Sequence, residues 1–224
     1  MTETNPNARL EAFCDGIFAI AITLLIVEIK VPPVSTVHTK AELWKAFAHE
    51  LPSWFAFLLS FIILLVSWVG HWHTFKLIGG SSPKFTYANG LLMLTVVLVP
   101  FITAAVAEYL QSPDTDLAQP AITLYCAAIL LNNIAWNLIL YIYLFAEVLV
   151  KPGVNIKKAR KQARYSHYVF VLYVFTFILS FWFPLIAFTI IALSFVGWAV
   201  QGIAIKEEKM TNQKPGTIDH SRGT

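Results

Sequence analysis

The stretch Arg9-Leu10-Glu11-Ala12-Phe13-Cys14-Asp15-Gly16-Ile17-Phe18-Ala19-Ile20-Ala21-Ile22-Thr23-Leu24-Leu25-Ile26-Val27-Glu28-Ile29 decides the fold. Apart from Glu11, Asp15 and Glu28, the segment from Leu10 to Ile29 is free of ionisable groups and almost wholly apolar. A helix needs about 20 such residues to cross the roughly 30 Å hydrocarbon core of a bilayer. The Pro32-Pro33 pair then ends it by removing backbone donors and fixing φ. A secretory signal would place basic residues before a shorter apolar stretch and small residues at a cleavage site. Here the stretch is long and runs into Lys30-Val31-Pro32-Pro33, so a retained helix is expected.

Further such runs follow, and they use nearly everything up to Ile205. Of 224 residues 57% are hydrophobic and 13% charged, against about 25% charged in an average soluble domain. Apolar runs place the second span at Leu51 to His73, the third at Tyr87 to Tyr109 and the fourth at Ala118 to Phe145. The fifth covers Tyr165 to Phe181 and the sixth Pro184 to Ile205, with so short a connection at Phe183 that the two form a tight hairpin. The reading is an all-α integral membrane protein of six transmembrane helices. It has one membrane domain over residues 1–205 and a polar, disordered tail over 206–224. Between the first two spans Thr39-Lys40-Ala41-Glu42 reads as a capping box. It opens an amphipathic stretch through Trp44 and Phe47 that either lies at the interface or extends the second span.

Charge fixes the orientation. If both termini are cytoplasmic, only Lys30, Lys40 and Lys45 of the 16 basic residues fall on the opposite side, as the retention of Lys and Arg in short cytoplasmic loops requires. A basic segment from Lys151 to Arg164 is then cytoplasmic and amphipathic, and the opposite side carries Asp114 and Asp116. Trp44, Trp54, Tyr109, Tyr165 and Tyr168 stand near span ends as interface anchors. The net charge of +3 is small and sits in loops, which gives no basis for nucleic-acid binding. Cys14 and Cys126 fall inside apolar segments and read as small hydrophobes.

An ionisable group in hydrocarbon needs a partner, water or a purpose. Glu28 and Glu108 close spans and read as solvated ends. Asp15 lies six residues into an apolar helix, with Arg9, His71 and His73 as the nearby cationic candidates, so a polar cluster at the cytoplasmic end is expected. His71 and His73 are two apart, which puts them on opposite flanks of a helix rather than on the i, i+4 face that binds zinc. No nucleophile elbow, phosphate loop or paired carboxylate motif occurs, so neither enzyme chemistry nor a cofactor is expected.

On a helical wheel of the first span, Phe13, Gly16, Ile20, Thr23, Leu24 and Val27 share one stripe and Asp15 points away from it. Periodicity alone makes this a packing face. The chain also lacks the Thr-Val-Gly-Tyr-Gly filter by which ordinary potassium channels replace ion hydration.

Arg9-Leu10-Glu11-Ala12-Phe13-Cys14-Asp15 resembles the Arg-x-x-x-Phe-Ser-Asp signature of the transmembrane protein 175 family of endolysosomal and prokaryotic potassium channels, with Cys14 in the serine position. Trp68 and His71, Asn89, and Pro100-Phe101-Ile102-Thr103 extend the resemblance over three spans. The resemblance implies a homotetramer around a central pore lined by the first helix, in a bacterial cell membrane, conducting potassium in preference to sodium. The hydrophobic constriction of the family falls on Ile20 and the next layers on Thr23, Leu24 and Val27. The signature arginine and aspartate fall on Arg9 and Asp15, which in relatives join a histidine of the second helix, here His71 or His73. The implied partners are potassium ions, membrane lipid and the chain itself. The competing reading is a small transporter in which Asp15 and a histidine relay protons, although neither an inverted repeat nor paired broken helices appear.

Overall fold

A computed structural model describes residues 6–111, 115–146 and 149–211, excepting the side chains at 28, 115, 158, 159, 161, 162 and 199–211. The protein is all-helical. Seven α-helices follow in order: α1 Ala8–Leu24, α2 Lys40–His49, α3 Leu51–Leu77, α4 Pro83–Leu110, α5 Ala118–Tyr141, α6 Ile156–Leu179 and α7 Pro184–Thr211. A 3-10 segment Leu25–Glu28 prolongs α1, and a π-helical turn Ile142–Ala146 prolongs α5.

Among the described residues four segments are long and apolar enough to cross a membrane: Ala8–Val27, Leu51–Leu77, Pro83–Leu110 and Ala118–Ala146. These are the first four expected spans, with α3 about a turn longer at its C-terminal end and α4 about a turn longer at its N-terminal end. The apolar parts of the last two helices, Ala163–Leu179 and Pro184–Trp198, are shorter. From Ile156 onward the basic segment expected between the fourth and fifth spans belongs to α6 itself. Similarly, α7 continues beyond Ile205 to Thr211, so the expected polar tail begins as helix, and residues 212–224 lie outside the described residues. The expected tight hairpin is present, with Ser180, Phe181, Trp182 and Phe183 closing onto the last turn of α6 through their amides.

Local sequence accounts for the helix starts. At α2 both halves of the capping box form: the Thr39 hydroxyl accepts from the Glu42 amide, and the Glu42 carboxylate accepts from the Thr39 amide. At α4 the Ser82 hydroxyl accepts from the Phe85 amide, with Pro83 in the first turn, where its missing donor costs nothing.

Helices α4 and α5 form the centre. One core cluster gathers Cys14, Phe18, Ala21 and Leu25 of α1 and its 3-10 extension with Leu64 and Phe75 of α3, Leu92 and Val96 of α4 and Ile139 of α5. A second gathers Ile63 of α3, Ile102 and Val106 of α4, Ile122 and Ile129 of α5, Tyr173 of α6 and Ile191 of α7. Buried polar groups join across helices because lipid offers them no alternative partner. Ser60 of α3 meets Thr103 of α4 at 2.6 Å. The Trp136 indole of α5 donates to Ser67 of α3 at 3.1 Å, Asn132 of α5 donates to Thr95 of α4 at 2.8 Å, and Tyr173 of α6 meets Ser194 of α7 at 2.9 Å.

Candidate pore-lining face and its anchors

Helix α1 divides cleanly into two faces. Cys14, Phe18, Ala21 and Leu25 recur at helical spacing and are completely or almost completely buried. The expected stripe lies opposite and is exposed: Phe13 59%, Ile20 59%, Leu24 48% and Val27 72%, with Gly16 and Thr23 also exposed. Five large or branched side chains are thus turned away from the subunit's own core, although the helix is otherwise well packed. A Cβ added at Gly16 would meet no atom within 4 Å, so this glycine serves no close approach inside the subunit. Thr23 spends its hydroxyl proton on the carbonyls of Ala19 and Ile20, at 3.0 and 2.9 Å, which leaves the oxygen as an acceptor on the exposed side. Between Arg9 and Glu28 the stripe bears no charge, because Glu11 and Asp15 lie off it.

The expected polar cluster of Arg9, Phe13, Asp15, His71 and His73 is divided. Asp15 is half-buried, and its Oδ1 accepts from the Trp68 indole of α3 at 2.9 Å. His71 is 1% exposed and pairs through Nε2 with the Asn89 side-chain oxygen of α4 at 3.0 Å. Its ring also lies 5.6 Å from Phe18 of α1 and 4.5 Å from Phe75. Asn89 in turn donates to the Phe85 carbonyl at 2.8 Å. His73 stands exposed on the other flank against Trp72, at 4.9 Å between ring centroids. His71 is therefore the histidine of the α1–α3–α4 junction, and it engages Asn89 rather than Asp15. Arg9 and Phe13 are exposed at the N-terminal end of the stripe, and among the described residues no ion pair joins Arg9 to Asp15. Trp68 and Asn89, to which residue chemistry alone assigns no role, make the bonds expected of charged groups. Their signal in the sequence is their place in the family resemblance.

Both ends of α1 are fastened. At its N-terminal end the Asn7 side chain donates to the Gly80 carbonyl at 2.8 Å. Gly79 and Gly80 in turn donate to the Leu149 carbonyl at 2.9 and 3.2 Å. A Cβ at Gly79 would sit 2.8 Å from Lys151 Cγ and 3.3 Å from its Cα, so close strand-like pairing of these two loops requires glycine there. Beyond its C-terminal end Lys30 donates to the Glu108 carboxylate at the end of α4. Glu108 is accordingly paired, where simple solvation was expected; the Glu28 side chain lies outside the described residues, as does Asp114. Nearby, Gln111 donates to Ser53 at 2.6 Å and Ser53 to Glu50 at 2.9 Å. An open cavity of about 350 Å³ lies here, lined by His49, Glu108, Tyr109, Gln111 and Leu117.

The sequence profile of the family described as "Endosomal/lysosomal potassium channel TMEM175" matches residues 9–100. A protein named a potassium channel from Chamaesiphon minutus is 44% identical over 135 residues, 60% of this chain and 64% of its own length, so this chain spans a little under two thirds of that relative. A second protein named a potassium channel, from Streptomyces collinus, is 32% identical over 159 residues, 70% of this chain and 76% of its own. Among solved structures, the crystal structure of a lysosomal potassium-selective channel TMEM175 homolog from Chamaesiphon minutus superposes with a TM-score of 0.78 at 33% identity, covering 89% of this chain and 99% of that one. On the profile match, the Streptomyces relative and this shared fold, the chain belongs to the TMEM175 family.

Proposed function

We propose that this protein is a potassium-preferring cation channel built without a carbonyl filter, in which α1 of each of four subunits lines a central pore. Ile20 forms the constriction, and Thr23, Leu24 and Val27 form the layers beyond it. The observation that carries this reading is the uncharged, exposed stripe on a helix whose other face is fully packed and whose two ends are tied down. A single α1 cannot enclose a passage, so closure needs symmetric copies. A ring of Ile20 side chains gates by excluding water and discriminates weakly, through the cost of stripping hydration. The Thr23 oxygen, left free as an acceptor, partly replaces that lost hydration.

Six spans with both termini cytoplasmic complete the reading. The apolar part of α6, Ala163–Leu179, makes about 26 Å of helix at 1.5 Å per residue, which the apolar hairpin residues Phe181, Trp182 and Phe183 carry towards the roughly 30 Å of a hydrocarbon core, and its basic first turns emerge on the Lys- and Arg-rich side. The bacterial relatives support a cell-membrane localisation in a bacterium. The engagement of Asp15 by Trp68 favours a positioning role for the carboxylate over proton relay in a transporter.

The test is passive flux in liposomes under opposed potassium and sodium gradients, with native mass measurement of the assembly. Potassium-favouring flux through a tetramer supports the proposal. Flux that requires a second, coupled gradient returns the transporter reading.

A further inference from the structure

We infer that α2 is an interfacial helix whose apolar face is seated in the headgroup–acyl boundary of the bilayer on the side opposite the termini. The inference needs the chain to span a membrane but not to conduct. Leu43, Trp44 and Phe47 recur at i, i+1 and i+4, so they share one face, while Glu42, Lys45 and His49 occupy the opposite one. That apolar face is not spent on the protein. Leu43 is 39%, Trp44 74% and Phe47 42% exposed, and α2 buries no residue at all. The preceding linker behaves likewise, exposing Val31 and Val34 at 82% and 89%. A linker bathed in water would leave this apolar area uncovered without return.

Lipid is the occupant that the surroundings fit. The apolar face runs on, at helical spacing from Phe47, into Leu51, Trp54, Phe55 and Leu58, the exposed face at the start of the 27-residue apolar helix α3. An outward apolar face of a spanning helix meets acyl chains. Pro52 lacks the amide that would continue α2's ladder into α3, and Glu50 separates the two as a cap, which lets α2 diverge from the α3 axis. The Glu50–Ser53–Gln111 hydrogen bonds hold that junction against the outer end of α4, so the hinge is fixed at interface depth. Lys40, at the first position of α2, and Lys45, on its polar face, can reach phosphate oxygens, whereas the Glu42 carboxylate is occupied by the His38 and Thr39 amides at 2.7 and 3.2 Å. Trp44 supplies an amphipathic ring of the kind that settles at headgroup level.

The experiment places a spin label singly at Trp44→Cys, Phe47→Cys, Lys45→Cys and His49→Cys in the full chain, reconstituted in phosphatidylcholine/phosphatidylglycerol vesicles. Cys14 and Cys126 are buried, and the unsubstituted chain carried through labelling supplies the background. Collision rates with oxygen, which partitions into lipid, and with a water-soluble nickel chelate are compared. The oxygen-to-nickel ratio is expected to be several-fold higher at 44 and 47 than at 45 and 49. Nickel-dominated collisions at all four sites would overturn the inference in favour of a helix in water. Suppressed collisions with both reagents at 44 and 47 would overturn it in favour of cover by protein, including a second copy. Two sites on each face keep the pattern from resting on one variant.

Discussion

The indole nitrogen of Trp68 donates to the carboxylate of Asp15 across 2.9 Å, joining α1 to α3 from positions 53 residues apart. This bond and the burial of Phe18 against His71 set the rotation of α1, and that rotation is what turns Ile20 and Thr23 outward. Trp68→Phe keeps an aromatic, if smaller, side chain and removes the donor, leaving a part-buried carboxylate short of a partner. Such a loss costs on the order of 1–3 kcal/mol, and a lower thermal midpoint in detergent, together with reduced flux, is the expected result.

The Lys30–Glu108 pair fastens the opposite end of the first span to α4, but it is 70% and 62% exposed. Exposed pairs contribute about 0.2–1 kcal/mol. Glu108→Gln is therefore expected to move the thermal midpoint less than Trp68→Phe does, and raising the salt concentration should narrow the wild-type advantage further.

At the start of α2 the His38 amide, with the amide and hydroxyl of Thr39, holds the Glu42 carboxyl below the ordinary glutamate value of 4.5. A folded-state value below the unfolded one means that this contribution is complete above about pH 4.5 and is lost as pH falls through the lower, folded-state value. The protection factors of the α2 amides, referred to the intrinsic exchange rate at each pH, are expected to fall on acidification in the parent chain. That fall should be absent in Glu42→Gln, where the cap carries no titrating group.

Two glycines separate packing from passage. Gly79→Ala brings a methyl group against Lys151 and is expected to destabilise the inner loop pairing by about 1 kcal/mol or more. Gly16→Ala has open space within the subunit, so thermal stability stays near that of the parent. The added methyl on the proposed pore face reduces flux.

Much of the fold was legible because hydropathy and helix punctuation are local. The spans beginning at Leu51 and Pro184 start where the sequence placed them, and the Thr39/Glu42 capping box forms as read. The α1 stripe was legible too, since a 3.6-residue period depends only on spacing. Two kinds of feature were not. Element lengths failed where polar residues continue a helix beyond the apolar core, as in the basic first turns of α6 and the extension of α7 to Thr211. Partner choice failed at Asp15 and Glu108, because charge suggested Arg9 or a histidine for the first and water for the second. The actual partners, Trp68 and Lys30, lie 53 and 78 residues away, and only the packing of the helices brings them within reach.

The central claim, that the outward stripe of α1 is a pore with Ile20 at its narrowest point, is tested most directly by Ile20→Asn. Potassium and sodium flux through mutant and parent are compared in liposomes at matched protein content. A carboxamide ring wets the constriction and lowers the dehydration barrier, so the account predicts faster potassium flux and a smaller preference over sodium. Unchanged flux and selectivity in a correctly assembled mutant would contradict it and take Ile20 out of the permeation path.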